Sequence, residues 1–218
     1  MGLIMKENTQ KKTMLPLAVL FIGLPLFFYA TGDFPKRTPL KDSLSVLTIL
    51  AFCLMLAQFY LTRMNRSLLG GYRQSTITTI HKALGYIFLP VLIIHPFLIV
   101  VPRYYESGVS PTEAFFTIIT TFSSFGIILG ICAWCLMVIL GVASLFRTKL
   151  SLSYKTWRLI HTILAVLFIV AASWHAIDLG RHTDTSLSTF IIIVAAGSLL
   201  LVLKHYISES LLKQEPSK

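Results

Sequence analysis

Charge is the scarcest resource in this chain. Asp, Glu, Lys and Arg make up 13% of its 218 residues, about half the share in a soluble domain, and that excludes an ordinary soluble globular domain. Only nine residues are acidic, too few and too peripheral for a carboxylate relay within the apolar segments. Cysteine is scarce as well. Cys53 stands alone, and Cys132 and Cys135 form a C-x-x-C embedded in hydrocarbon, without the polar helix N-terminus that lowers a thiol pKa. Packing between helices is the expected role of that pair. No internal sequence repeat, low-complexity segment or glycine-rich dinucleotide fingerprint occurs.

What is abundant is apolar: 55% of residues, with a mean hydropathy of +0.76. Six stretches approach the roughly 20 residues that cross a hydrocarbon core: 14–31, 44–62, 80–102, 114–146, 157–178 and 187–205. The fourth is long enough to tilt or to extend beyond the bilayer. The expected fold is therefore an all-α membrane protein, a six-transmembrane-helix bundle. Its parts are an N-terminal tail 1–13, a bundle 14–205 and a C-terminal tail 206–218. Lys6, Lys11 and Lys12 ahead of an apolar run imitate a secretory signal. Ala30-Thr31-Gly32 is a poor cleavage site, and Pro16 and Pro25 interrupt the run, so 14–31 reads as an uncleaved first span.

Basic residues orient the bundle. With the N-terminus inside, fourteen Lys and Arg fall on the inner side, and five (Lys36, Arg37, Lys41, Arg103 and Arg181) on the outer. That bias predicts cytoplasmic N- and C-termini. Asp33, Asp42, Glu106, Glu113, Asp178 and Asp184 are expected outside. The net charge of +10 thus reports topology and an affinity for anionic headgroups. No nucleic-acid partner is expected, because the basic residues are divided among short loops and tails.

Against this background four histidines stand out. His81 and His95 lie in the third span and His161 and His175 in the fifth, each pair 14 residues apart. On an α-helix that interval is about 21 Å of rise and about 40° short of four full turns, so both members face the same way near opposite ends of the span. The third and fifth spans run in the same direction. His81 and His161 therefore share the inner level, and His95 and His175 the outer. Two neutral imidazoles from separate helices can take both axial positions of a haem iron. A zinc ion needs its ligands converged within about 2 Å, which the spacing forbids within one helix. Single membrane histidines can also serve only to bond a neighbouring helix. His182 and His205 fall outside the pattern and are read as surface residues.

The surroundings offer further candidates. Gly85, one turn after His81, clears space where a flat ring could lie, and Pro90 and Pro96 are expected to bend the third span. Phe88, Phe97, Trp157, Phe168 and Trp174 could pack on ring faces. Arg73, Lys82, Lys155 and Arg158 at the inner level are candidate propionate contacts, headgroup anchoring being an equal account. Gly126 and Gly130 form a small-x-x-x-small motif for close helix approach.

The segments Leu69-Gly70-Gly71-Tyr72-Arg73, Ile80-His81-Lys82-Ala83-Leu84-Gly85-Tyr86 with His95, and Tyr154-Lys155-Thr156-Trp157-Arg158-Leu159-Ile160-His161 with Trp174-His175 resemble the ferric reductase-like transmembrane domain. The likeness runs from about residue 44 to 205. This superfamily includes NADPH oxidases, ferric-chelate reductases and the haem-binding membrane subunit of the periplasmic methionine sulfoxide reductase system. The resemblance implies b-type haem between the third and fifth helices, with His81 and His161 sharing the inner group and His95 and His175 the outer one. Two haems are expected, one being the lesser alternative. The chain ends 13 residues after His205, so no FAD or NADPH site is expected in it. The expected donor is a separate flavoprotein reductase or a quinol. The acceptor would be a periplasmic oxidoreductase or a small molecule, and the location the bacterial inner membrane. This makes the chain an oxidoreductase component that carries electrons across the membrane. The alternatives are a stand-alone reductase of ferric chelates or oxygen, and a non-redox membrane protein.

Overall fold

The computed structural model describes residues 14–35, 37–62, 69 and 72–212, with side chains through 207. The tails 1–13 and 213–218, together with Lys36, Arg63, Arg66, Gly70 and Gly71, lie outside the described residues. The described chain is helical and has no strand. We number its helices α1 (Met14–Thr31), α2 (Pro39–Tyr60), α3 (Gln74–Ser107), α4 (Pro111–Thr120), α5 (Phe125–Leu145), α6 (Tyr154–Leu179) and α7 (Thr185–Leu212). All but α4 are long and apolar enough to cross a membrane, as the six hydrophobic stretches lead one to expect.

Helix starts follow local capping chemistry. The side chains of Thr38, Ser110, Ser124, Ser153 and Asp184 each accept a hydrogen bond from the backbone N–H three residues on, satisfying a donor that the helix leaves unpaired. Pro39 and Pro111 fill first-turn positions, where a missing N–H costs nothing. The helix α3 ends at Gly108, whose φ of +67° suits glycine alone among common residues. There Gly108 N–H bonds Tyr104 O, and Val109 N–H bonds Arg103 O.

Prolines inside the spans are absorbed rather than helix-breaking. Before Pro25 the ladder of α1 widens into a π-turn at Val19–Gly23, and Leu24 N–H reaches back to Val19 O. The helix α3 continues through Pro90, Pro96 and Pro102, as packed membrane helices permit.

The expected span 114–146 is corrected. It is two helices, broken at Thr121–Ser124, with Ser124 starting α5 afresh. An apolar window cannot register such a break, because the local hydroxyl that caps the helix barely changes mean hydropathy. Asp178 and Glu106 lie in the last turns of α6 and α3.

The core centres on α2. Its Ala51, Cys53, Leu56 and Ala57 are buried with Phe21 of α1, Ile169 of α6, and Leu187, Ile191 and Val194 of α7. Tyr60 Oη lies over the Gly197 notch of α7 and donates to Val194 O at 2.9 Å. Cys132 and Cys135 are exposed on the outer surface of α5, so the expected packing between helices does not hold for them. Three residues apart on a helix, they share a face that turns away from the bundle.

One feature of the packing positions the site. The helix α5 packs closely on α6 and also meets α3, whereas α3 and α6 have at most marginal backbone contact. The helix α5 thus meets both histidine-bearing spans.

Ser124→Ala removes the cap that starts α5. It should lower stability by about 1 kcal/mol, read as a shifted midpoint in detergent unfolding monitored by tryptophan fluorescence.

Candidate functional site

At one end of the gap stand His95 of α3 and His175 of α6, close enough for their charges to interact. His175 is tightly seated. Its Nδ1 lies 2.9 Å from Gly126 O. A carbonyl only accepts, so Nδ1 carries the proton and Nε2 keeps its lone pair for a metal. The ring rests in the notch at Gly130, where an added Cβ would come within 2.6 Å of Cε1. One turn on, Asp178 occupies the notch at Gly126. The small-x-x-x-small motif therefore does more than bring two helices together: it receives the histidine. Across the gap, His95 Nδ1 is buried and has no hydrogen-bond partner among the described residues. The backbone just before it is tied to α5, since Trp134 Nε1 donates to Ile93 O at 2.7 Å.

His81 and His161 occupy the other level, again close enough for their charges to interact. His161 stacks on Trp157, with centroids 5.0 Å apart and planes 25° apart, and its Nδ1 lies 3.4 Å from Ser144 Oγ. Trp157 is itself anchored by donating to Ala143 O at 3.2 Å. His81 is held differently. Its ring reaches the backbone of Gln58 and Leu61 at the end of α2. The buried Gln58 side-chain amide lies against the His81 ring and the Gly85 backbone. The space cleared by Gly85 thus faces Gln58.

The structure brings both expected pairs together across the gap between α3 and α6. Each level offers two imidazoles, and among the described residues no three His, Cys, Asp or Glu side chains converge as a bare ion would need. The residues suit a planar, axially ligated group such as haem. One observation bears on that fit: the protonated Nδ1 of His175, which leaves Nε2 for a metal.

Among the other candidates, Arg73, Lys82 and Lys155 are exposed and Arg158 is half-buried. Phe168 is in the core. Phe97 stacks on Phe115 of α4 at 4.9 Å, and Trp174 meets Phe125 edge-on. Trp157 is the one expected ring-packing residue that stacks on a candidate ligand.

The surface reading of His182 is corrected. It is 6% exposed, wedged between the rings of Tyr29 and Phe34, with Nε2 3.1 Å from Arg37 Nη1. These partners lie some 145 positions away in sequence, so no local pattern announces them. Gln58 and Ser144 were missed for the same reason.

Residues 47–172 match the ferric reductase like transmembrane component family. The chain belongs to that family. The matched stretch contains His81, His95 and His161 and stops three residues before His175. Ferric reductase-like transmembrane domains are generally haem-binding, and membership suggests transmembrane electron transfer. The chain is also 41% identical over 161 residues to an uncharacterized protein of Archaeoglobus fulgidus, covering 74% of this chain and 87% of that one. No solved structure matches this member of the family.

Gly130→Leu should drive a side chain into the His175 ring and cost about 1–3 kcal/mol by overpacking, seen as a lower unfolding midpoint than wild type. A pH effect follows from His182. Burial, reinforced by Arg37 and Arg181, lowers its pKa from the usual 6.5 although Asp42 opposes the shift. The unfolded chain then binds this proton more tightly than the folded one. Its contribution to stability is complete above about pH 6.5 and declines as the pH falls below that value. Thermal unfolding followed from neutral pH down to about pH 5 should show that decline, and His182→Gln should flatten it.

Proposed function

We propose that this protein relays electrons across the cytoplasmic membrane through b-type haem held between α3 and α6. In this reading His95 and His175 would hold the haem at the outer level, and His81 and His161 that at the inner level. The observation that carries it is a histidine pair at each of two levels, contributed by two spans whose backbones have at most marginal contact. When bound, haem supplies reversible one-electron exchange at iron.

The chain's own residues supply the rest. Gly126 O holds the His175 imidazole in the tautomer that leaves Nε2 available. Trp157 and Ser144 restrain His161, and Gln58 restrains His81. Two histidines at each level would hold the haem from both sides and would favour electron transfer over the binding of an external ligand. The apolar flanks of α3, α5 and α6 keep water from the gap, so the sites can be reduced without free access of protons. Arg73, Lys82, Lys155 and Arg158 form a basic inner surface. Its charge would steer an acidic donor, a flavoprotein in this reading, with a quinol as the alternative. The acceptor is an extracytoplasmic oxidoreductase or a small molecule.

Haem content per chain, measured as pyridine haemochrome on purified protein, tests the proposal. We expect two b haems. His95→Ala or His175→Ala should remove one, and His81→Ala or His161→Ala the other. A wild-type protein without a Soret band would overturn it, as would four alanine variants with undiminished haem.

A further inference from the structure

A cavity of about 570 Å³ opens where α1 passes into α2 and α6 into α7. Phe34, Arg37, Thr38, Lys41, Arg181 and His182 line it. On the orientation proposed above it faces the extracytoplasmic side, and it lies beyond the end of α6, apart from the histidine pairs.

The hydrogen bonding of His182 shows what this cavity is built to receive. A guanidinium only donates, so at 3.1 Å from Arg37 Nη1 the His182 Nε2 must accept. The ring is then neutral, and its proton sits on Nδ1. That Nδ1–H is buried and has no acceptor among the described residues, whereas buried donors in folded proteins are nearly always satisfied. Arg37 is not free to turn elsewhere, because Nη1 also lies 3.2 Å from Ser45 Oγ.

The charges around the cavity point the same way. Glu106 pairs with Lys41 and accepts from Thr38, and Asp42 is hydrogen-bonded to Tyr29. The two nearby carboxylates are thus engaged, while three cations, Arg37, Lys41 and Arg181, face them. An acceptor that carries negative charge answers both the unpaired Nδ1–H and the surplus of cations at the cavity wall.

We propose that this cavity binds a small oxyanion, a carboxylate or phosphate group. One oxygen reaches His182 Nδ1 through a small shift of the neighbouring side chains, while Arg181 and Arg37 balance its charge. Guanidinium groups match such planar or tetrahedral oxygens better than they match chloride. The oxyanion can come from a soluble molecule or from an anionic lipid headgroup. The inference does not rest on the relay reading, because binding is read without any electron transfer.

The test uses the full-length protein as purified, in phosphatidylcholine nanodiscs. Citrate and inorganic phosphate are titrated separately by calorimetry, with ionic strength held constant by chloride. A second arm repeats the titrations in phosphatidylglycerol nanodiscs and measures the lipids retained on delipidation. We expect saturable binding of at least one soluble anion, or selective retention of phosphatidylglycerol that competes with it. The first result identifies a soluble ligand and the second a headgroup.

Exposed Arg181 can be changed without disturbing the core. Arg181→Glu should weaken binding by about tenfold or more, and Arg181→Lys should restore much of it. Arg103→Glu, an exposed outer cation that does not line the cavity, should leave binding unchanged. Equal losses in Arg181→Glu and Arg103→Glu would reduce the effect to general surface charge and overturn the proposal. So would the absence of both saturable anion binding and selective lipid retention.

Discussion

The seating of α6 on the glycine face of α5 is the contact on which the rest of this structure depends. In lipid, helices gain no hydrophobic driving force from meeting one another, so close approach relies on small residues and on bonds between helices. Gly126 and Gly130 supply the small residues, and the Gly126 carbonyl supplies the bond. Because the side chains received there are Asp178 and His175, the packing contact and the orientation of a candidate ligand are a single structural event. The helix α5 reaches α3 as well, through Trp134 on the Ile93 carbonyl and through Leu89 against Gly141. It therefore acts as a spacer that sets α3 and α6 at a separation they do not set for themselves.

That spacing gives the polar groups of the bundle their meaning. An ionisable side chain in a membrane span is costly unless it is partnered or functional. His175 and His161 each have one ring nitrogen beside a polar group of α5, and His81 is held by the end of α2. His95 alone of the four has a buried nitrogen with no partner among the described residues. The His95–His175 level has one ring pinned, whereas the His81–His161 level is built around contacts with Gln58 and Trp157.

Much of this was legible in the residues themselves. The interval from His81 to His95 and from His161 to His175 translates directly into a shared face, because helical rise and twist are local properties that need no knowledge of neighbours. Five of the six span assignments hold for a similar reason: hydropathy summed over about 20 residues measures the cost of burying a segment in hydrocarbon. The fourth span failed at Ser124, where one side-chain hydroxyl outweighs the average around it. Cys132 and Cys135 were assigned a packing role that their exposed face denies, because composition does not say which side of a helix meets its neighbours.

His182 marks the boundary most clearly. In sequence it is a loop histidine between Arg181 and Thr183, indistinguishable from a solvated one. In the fold it is among the most enclosed polar residues, because Tyr29, Phe34 and Arg37 arrive from the far end of the chain. The sequence by itself determined the membrane environment, the number of spans and the depth of each histidine, all of which follow from apolar run length and helical geometry. Only the tertiary structure decided which histidines meet, which ring nitrogen carries a proton, and that α5 packs against both α3 and α6. Those depend on contacts between residues distant in sequence, and such contacts exist only once the helices have packed.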